Sequence, residues 1–353
     1  MYFERFCEER GIKKKTIKSY RTTINTYTRY YNLTFDELIQ EAIDEENNLE
    51  IQRRNRSIKN RFLQFRTHLL NETNLKKGTI RKHMIALSTL YGHFDIELPK
   101  LPPLKEDKVN ETTYYDLPTK EQISMAVDMS GIRIGSMILF MASSGTARKE
   151  CENLTVGDFI NACRDYYTKD TLPEIIEEIY GSIEPVVPTL QILRQKTGKK
   201  YYTFCTPQAA HAIAEWLLLR LEICEANDKE LTLDDSLWGF TERQITYHFS
   251  SINDQLEFGF GHDGYRFFRP HTLRKFHSSN IGLEETTIDL LQGRSKDKLH
   301  ETYIKTNPER YKKVYMNVMD NVTIGKTTKE IKHEEFHITI NVNLFGTEYA
   351  VNI

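Results

Sequence analysis

The sequence predicts a mainly α-helical protein with a small β-sheet: an amino-terminal helical bundle followed by an α+β second domain. Three observations carry that expectation. Apolar residues recur at steps of three and four through residues 17–91, a proline-bearing stretch interrupts the pattern at 97–118, and two short strand-like runs flank a Lys-Thr-Gly-Lys turn within 189–204. At 353 residues the chain is long enough for two domains, each with its own core.

Residues 1–97 read as the bundle. Ile17, Tyr20, Ile24 and Tyr27 make one apolar stripe, Ile58, Phe62, Phe65 and Leu69 a second, and Ile80, Met84, Leu87 and Tyr91 a third. Ser57 and Thr79 stand where N-caps are expected. The polar faces carry Arg53, Arg54, Arg56, Lys59, Arg61, Arg66, Lys76, Lys77, Arg81 and Lys82, giving the bundle one basic side. Residues 98–118 read as a linker, with four prolines among charges at 97–118 and no helical period.

A second domain is expected over 119–325, opening with Thr119 as an N-cap. "IRIGSMILFMASSG" predicts a buried helix ending at Gly145. "TLQILRQKTGKKYYTF" predicts two strands joined by a turn in which Gly198 supplies the positive φ. "TPQAAHAIAEWLLLRLEICEA" predicts a long amphipathic helix, with further helices to about residue 320. Residues 326–353 read as a tail. The period-two alternation of Phe336, Ile338, Ile340, Val342 and Leu344, a turn at Gly346, and then Tyr349, Val351 and Ile353 predict a β-hairpin.

Net charge is only −2, but positive charge is regional. Residues 1–100 hold 19 Lys/Arg against 13 Asp/Glu, and five of those acids fall in the single run "EAIDEENNLE". Residues 266–313 hold 11 Lys/Arg against 6 acids. Two basic regions in a near-neutral chain suit surfaces that hold a phosphate backbone. No apolar run approaches the ~18 residues that span a bilayer, and the charged start "MYFERFCEERG" is not that of a signal peptide. Five scattered cysteines, an odd number without a CxxC pair, predict free thiols in a reducing, cytoplasmic compartment.

The chemistry-bearing residues form an ordered series. Arg148 follows the Gly145 turn into a helix, and Lys196 sits in the hairpin turn. "FRPHTLRKFHSS" sets His271 and Arg274 one helical turn apart, and "LLQGRSKDKLHETYIK" places Arg294 nine residues before Tyr303. Residues at i and i+3 share a helix face, so His271 and Arg274 can meet one anion together. His271 and His277, six apart, lie on different faces with no evident carboxylate partner, so no metal and no cofactor is expected.

This series resembles that of the tyrosine recombinase (phage integrase) family, and the resemblance spans most of the chain. It implies a SAM-like core-binding domain at 1–97, a catalytic domain at 119–325, and double-stranded DNA as substrate, bound as a homotetramer that is a monomer or dimer when free. Accessory DNA-bending or excision factors belong to the same picture, and so does a nucleoid-associated place in the cytoplasm, a host's if the element is viral. Tyr303 would be the nucleophile, forming a 3′-phosphotyrosine bond. Arg148, Arg274 and Arg294 would clamp the phosphate, Lys196 would protonate the leaving 5′ oxygen, and His271 would hydrogen-bond the phosphate or take the Tyr303 proton. Arg53, Arg54, Lys59, Arg81, Lys82 and Lys199 are the candidate DNA contacts, with base readout from "TERQITYHFSSIND". The implied activity is integration or excision of a mobile element.

Two departures mark a divergent member. Ala147 occupies the place of the family's first arginine, with Arg148 one residue later and Glu150 following. Arg294 stands where His or Trp is usual, which leaves His300 as an alternative proton carrier. No separate arm-binding domain is expected before the bundle, and the tail is expected either to cover its own domain or to dock on a neighbouring protomer. Two other functions remain: a type IB topoisomerase-like enzyme, which would relax any supercoiled plasmid, and a catalytically inactive DNA-binding relative, which the shifted arginine favours.

Overall fold

The computed structural model describes residues 1–98, 100–104, 113–294, 307–325, 339–344 and 347–352. The chain divides into two compact units, Met1–Val109 and Asn110–Ile353.

The first unit contains helices α1 (Tyr2–Glu9), α2 (Lys14–Tyr31), α3 (Phe35–Asn47), α4 (Ile58–Asn71) and α5 (Lys77–His93). The second and third apolar stripes are buried in full, whereas of the first stripe Ile24 and Tyr27 are buried and Ile17 and Tyr20 only partly so. Tyr27 meets Phe65 edge-on at 4.9 Å, and the Tyr91 hydroxyl donates to that of Tyr27 at 3.3 Å. Glu41, Asp44, Glu45 and Glu46 of the acidic run lie on α3, and three of these carboxylates meet α4 or the two residues just before it. Glu41 pairs with Arg61 and Glu46 with Arg56 at 2.6 Å, while Glu45 accepts from the Ser57 hydroxyl at 2.9 Å.

Of the two N-cap expectations in this unit, Ser57 holds its position and Thr79 does not. Ser57 is the N-cap residue of α4, but its hydroxyl serves Glu45 rather than the helix. Thr79 lies inside the first turn of α5, whose N-cap is Lys76. One threonine cap is worth only about 1 kcal/mol, which earlier helical residues can offset.

Described residues of the stretch read as a linker pack near both of its ends. Leu98, Leu101 and Leu104, the apolar residues among its prolines, pack on the first core. Near its other end Leu117 is buried, Asp116 pairs with His262, and the Tyr114 hydroxyl donates to Asn280 at 2.8 Å.

The second unit is built around α7 (Ile132–Ser144), whose residues from Ile134 onward are all buried. Before it lies α6 (Lys120–Asp128), capped by Thr119, which accepts from the Gln122 amide. After it come α8 (Arg148–Asn153), α9 (Val156–Ala162) and α10 (Leu172–Tyr180), then strands β1 (Thr189–Arg194) and β2 (Lys199–Phe204). The strands are antiparallel, with Thr189 opposite Phe204 and Arg194 opposite Lys199, and Gly198 in their turn has φ 74°. Helices α11 (Pro207–Glu225), α12 (Glu242–Gln255), α13 (Pro270–Asn280), α14 (Glu285–Leu291) and α15 (Pro308–Met316) follow. Helices α11 and α13 pack on α7, and α14 packs on β2. That packing brings the ends of α7, β1 and α14 to the buried face of α13, where the candidate site lies. In the tail, β3 (Thr339–Leu344) and β4 (Thr347–Asn352) form a second antiparallel ladder.

Among the described residues no helix is long and apolar enough to cross a membrane. All five cysteines are free thiols, three of them buried.

Candidate active site

The site begins with a turn. Helix α7 ends at Gly145, which adopts the left-handed conformation at φ 65° and points its carbonyl at α13. The chain re-enters a helix at Arg148, held by the Ala147 amide donating to Glu150 at 2.9 Å. Glu150 is buried, accepts from the Tyr201 hydroxyl at 2.9 Å, and lies 3.7 Å from the Arg274 guanidinium. Burial first, and then the Glu150 carboxylate, push the Tyr201 phenol well above its ordinary pKa.

Arg274 is the hub. Its guanidinium, 7% exposed, donates to the Gly145 carbonyl at 2.8 Å and to the Gln292 carbonyl at 2.6 Å. Burial, and then the nearby Arg294 and Arg194 charges, draw its pKa below the usual guanidinium value, although it stays charged at neutral pH. Arg194, at the end of β1, donates to the same Gln292 carbonyl at 3.2 Å and also to the Gly293 carbonyl. Arg294 donates to the Ser278 hydroxyl at 3.3 Å and lies 3.8 Å from Asp289. The short segment Gln292–Arg294 therefore gathers three guanidiniums. Gly293, at φ 61°, fits there because a Cβ would fall 2.4 Å from the Tyr201 ring.

His271 stands one turn before Arg274 at the exposed start of α13. The protein around it, then the charges of Lys275, Arg269, Arg274 and Arg294, hold its pKa below 6.5. It is therefore a neutral imidazole at pH 7, able to accept a proton or a hydrogen bond.

Behind it, His277 is fully buried. Its Nδ1 lies 2.9 Å from the Gln292 amide nitrogen, and its Nε2 has no hydrogen-bond partner among the described residues. Burial, then the Arg274 and Arg294 charges, lower its pKa to about 3. The unfolded chain takes up a proton on this residue below pH 6.5 and the folded chain does not, so stability is full above that pH and declines below it. Between pH 7 and pH 5 the second unit is expected to lose about 2 kcal/mol on this account. Both tryptophans, Trp216 and Trp238, lie buried in this unit, so urea unfolding followed by their fluorescence reports on it. His277→Gln should flatten most of the pH slope; an unchanged slope would place its origin elsewhere.

Of the residues singled out in the sequence, Arg274 meets the segment that carries Arg294, and His271 stands one turn before Arg274 on α13. Lys196 is exposed in the turn two residues beyond Arg194, and Lys199 faces Arg194 across the ladder. Tyr303 and His300 lie outside the described residues. Arg148 goes elsewhere: it donates to the Thr246 hydroxyl at 2.6 Å and pairs with Glu242, both on α12. The reason is helical phase. Arg148 and Glu150 are two residues apart on α8 and so point about 200° apart; with Glu150 facing Arg274, Arg148 faces α12. On α12, Arg243, Gln244, Thr246 and Tyr247 are exposed.

In the first unit, Arg54 and Lys59 line an open cleft with Arg53, Arg56 and Lys100, while Arg53 also pairs with Glu97 at 2.6 Å. Lys82 is exposed, and Arg81 borders a separate cleft with Arg66.

Sequence reading missed Arg194, Glu150 and Gln292 as members of the site. One signal for Arg194 was present. Leu190 and Ile192 are the buried positions of β1 and Gln191 and Leu193 the exposed ones, so Arg194 falls in phase with the buried face. An arginine in that phase needs a partner.

No family model and no curated protein matches the sequence. Solved structures do match. The XerH site-specific recombinase bound to its difH substrate is 13% identical, with 88% of this chain and 82% of that chain covered, at a TM-score of 0.50. A lambda integrase tetramer bound to a Holliday junction is 13% identical over 86% of this chain and 75% of that one, at 0.48. The Tn1549 transposon integrase in complex with transposon end DNA is 12% identical over 90% and 97%, at 0.45. What is shared at this identity is the fold.

Proposed function

We propose that this chain, which has the fold of the tyrosine recombinases, is a site-specific DNA recombinase that breaks and rejoins duplex DNA through a 3′-phosphotyrosine intermediate. The observation that carries the reading is the meeting of Arg274 with the Gln292–Arg294 segment, with His271 one helical turn before Arg274 on α13. In this reading two groups from α13 and one from the stretch that follows α14 serve one phosphate, Arg294 standing nine residues before Tyr303.

In the proposed reaction the Tyr303 oxygen attacks the scissile phosphorus and forms the new P–O bond. The bond to the 5′ oxygen breaks, and Lys196, on its exposed turn, delivers the proton that this oxygen needs. His271 accepts the phenolic proton or a hydrogen bond from it. Arg274 and Arg294 donate to the non-bridging oxygens, where charge builds in the transition state. The phosphotyrosine retains the energy of the broken linkage, so a second 5′ hydroxyl can reverse the step on a new partner strand. The cleft around Arg54 and Lys59 and the exposed face of α12 supply contacts to the duplex, the first mainly to phosphates. Assembly as a tetramer on DNA and the movement of a mobile element belong to the same proposal.

A second reading, a DNA-binding relative without cleavage, is favoured by one observation: Ala147 holds the position of the family's first arginine, and Arg148 is engaged on α12. A nicked duplex library of random sequence separates the two. The wild-type chain is expected to yield a covalent DNA adduct that survives denaturation, and Tyr303→Phe none. No adduct from wild type would favour the non-cleaving relative, and relaxation of any supercoiled plasmid without site preference would favour a topoisomerase.

A further inference from the structure

We infer that Arg194 is a catalytic residue of this site: it supplies the guanidinium that Arg148 does not, completing a three-arginine clamp for one phosphate. The inference rests on the DNA-cleavage reading above and names the residue on which that reading is incomplete.

The geometry is specific. The Gln292 carbonyl accepts from Arg194 at 3.2 Å and from Arg274 at 2.6 Å, so the two guanidiniums are neighbours around one oxygen. Arg194 is fixed further by the Gly293 carbonyl, and Arg294 follows in the chain. Among the described residues, the partners of Arg194 are these carbonyls and no carboxylate. Carbonyls orient a guanidinium without neutralising it, and five N–H donors leave several free for an anion.

The charges support this arrangement. Two positive neighbours, Arg294 and Arg194, act on Arg274, while the Glu150 carboxylate lies 3.7 Å away and also accepts from Tyr201. Three cations meet here with two carboxylates, Glu150 at 3.7 Å from Arg274 and Asp289 at 3.8 Å from Arg294, so the cluster keeps a net positive charge whose cost a bound phosphate would relieve. Arg148, by contrast, is engaged by Glu242 and Thr246 and holds α8 to α12. Arg194 sits two residues before Lys196, so the same hairpin would carry a phosphate clamp at its strand end and the proton donor at its turn.

Titration of the full-length chain with inorganic phosphate at low ionic strength tests the assignment. Wild type should bind, Arg194→Gln should weaken binding tenfold or more, Arg194→Lys should fall between them, and Arg148→Gln should change it less than twofold. Tryptophan fluorescence melts of each variant check folding, and the lysine variant keeps the test open if the glutamine variant unfolds. Unchanged binding in Arg194→Gln, equal weakening in Arg148→Gln, or no binding by wild type would each overturn the proposal. The adduct assay tells the two readings apart. A Tyr303-dependent adduct whose rate is indifferent to Arg194→Gln sinks this assignment alone. Phosphate binding that depends on Arg194, with no adduct from any variant, upholds the anion site and sinks the cleavage reading.

Discussion

Arg274→Met is expected to destabilise the second unit by about 3–5 kcal/mol, the range for removing one partner of a buried ion pair. The side chain fills its space with comparable apolar volume, so the loss is not one of packing. Instead the Gly145 carbonyl loses its Arg274 donor, the Gln292 carbonyl keeps only the longer bond from Arg194 among the described residues, and the buried Glu150 carboxylate loses the cation 3.7 Å away, keeping the Tyr201 hydroxyl and the Ala147 amide. Urea unfolding followed by tryptophan fluorescence measures the change. Adding Glu150→Gln removes the stranded charge, so the double variant should recover a sizeable part of the loss rather than add to it. Cleavage should fall by about 10²–10³ even where the protein is folded, as when one transition-state donor is lost. A single variant within about 1 kcal/mol of wild type would mean that Arg274 is not the hub of this network.

Gly145→Ala is the second large effect, at about 3 kcal/mol or more from two sources. At φ 65° a Cβ costs about 1–2 kcal/mol by itself. That Cβ would also fall 2.5 Å from the Gln292 amide nitrogen and 2.6 Å from His277 Nδ1, both on fully buried side chains with nowhere to move. Gly198 provides the control. Its φ is similar at 74°, but nothing lies within 4 Å of its would-be Cβ, so Gly198→Ala should show the backbone cost alone. Equal melting shifts for the two variants would refute the crowding argument. Because the Gly145 carbonyl holds Arg274, the alanine variant should lose cleavage as well as stability.

Much of the fold could be read from local pattern. Stripes such as Ile58, Phe62, Phe65 and Leu69 identify a buried helix face without knowledge of what covers it, because the 3.6-residue period alone brings them together. The hairpin at 189–204 followed from strand alternation and a glycine that tolerates positive φ, and the end of α7 from Gly145 in the same way. His271 and Arg274 could be paired because their spacing is one turn of a single helix. The misses share a different character. The first-arginine position was judged by its distance along the chain from Gly145, yet the partner of Arg148 is 94 residues away on α12. Arg194 meets Gln292 across 98 residues. The full burial of His277 was likewise not legible, because it depends on the turn after α7 and on Gln292 closing over it.

The sequence by itself determined the helical bundle, the central buried helix, the hairpin and the shared face of His271 and Arg274, since each is a property of one segment and its own period. Only the tertiary structure decided which arginines surround the Gln292–Arg294 segment, why Glu150 rather than Arg148 faces it, and that a histidine lies neutral beneath it. The physical reason is that periodicity specifies which side of an element is apolar. The identity of the group met by each polar residue depends on how separate elements dock, and that is settled by burial and hydrogen bonding over the whole unit at once.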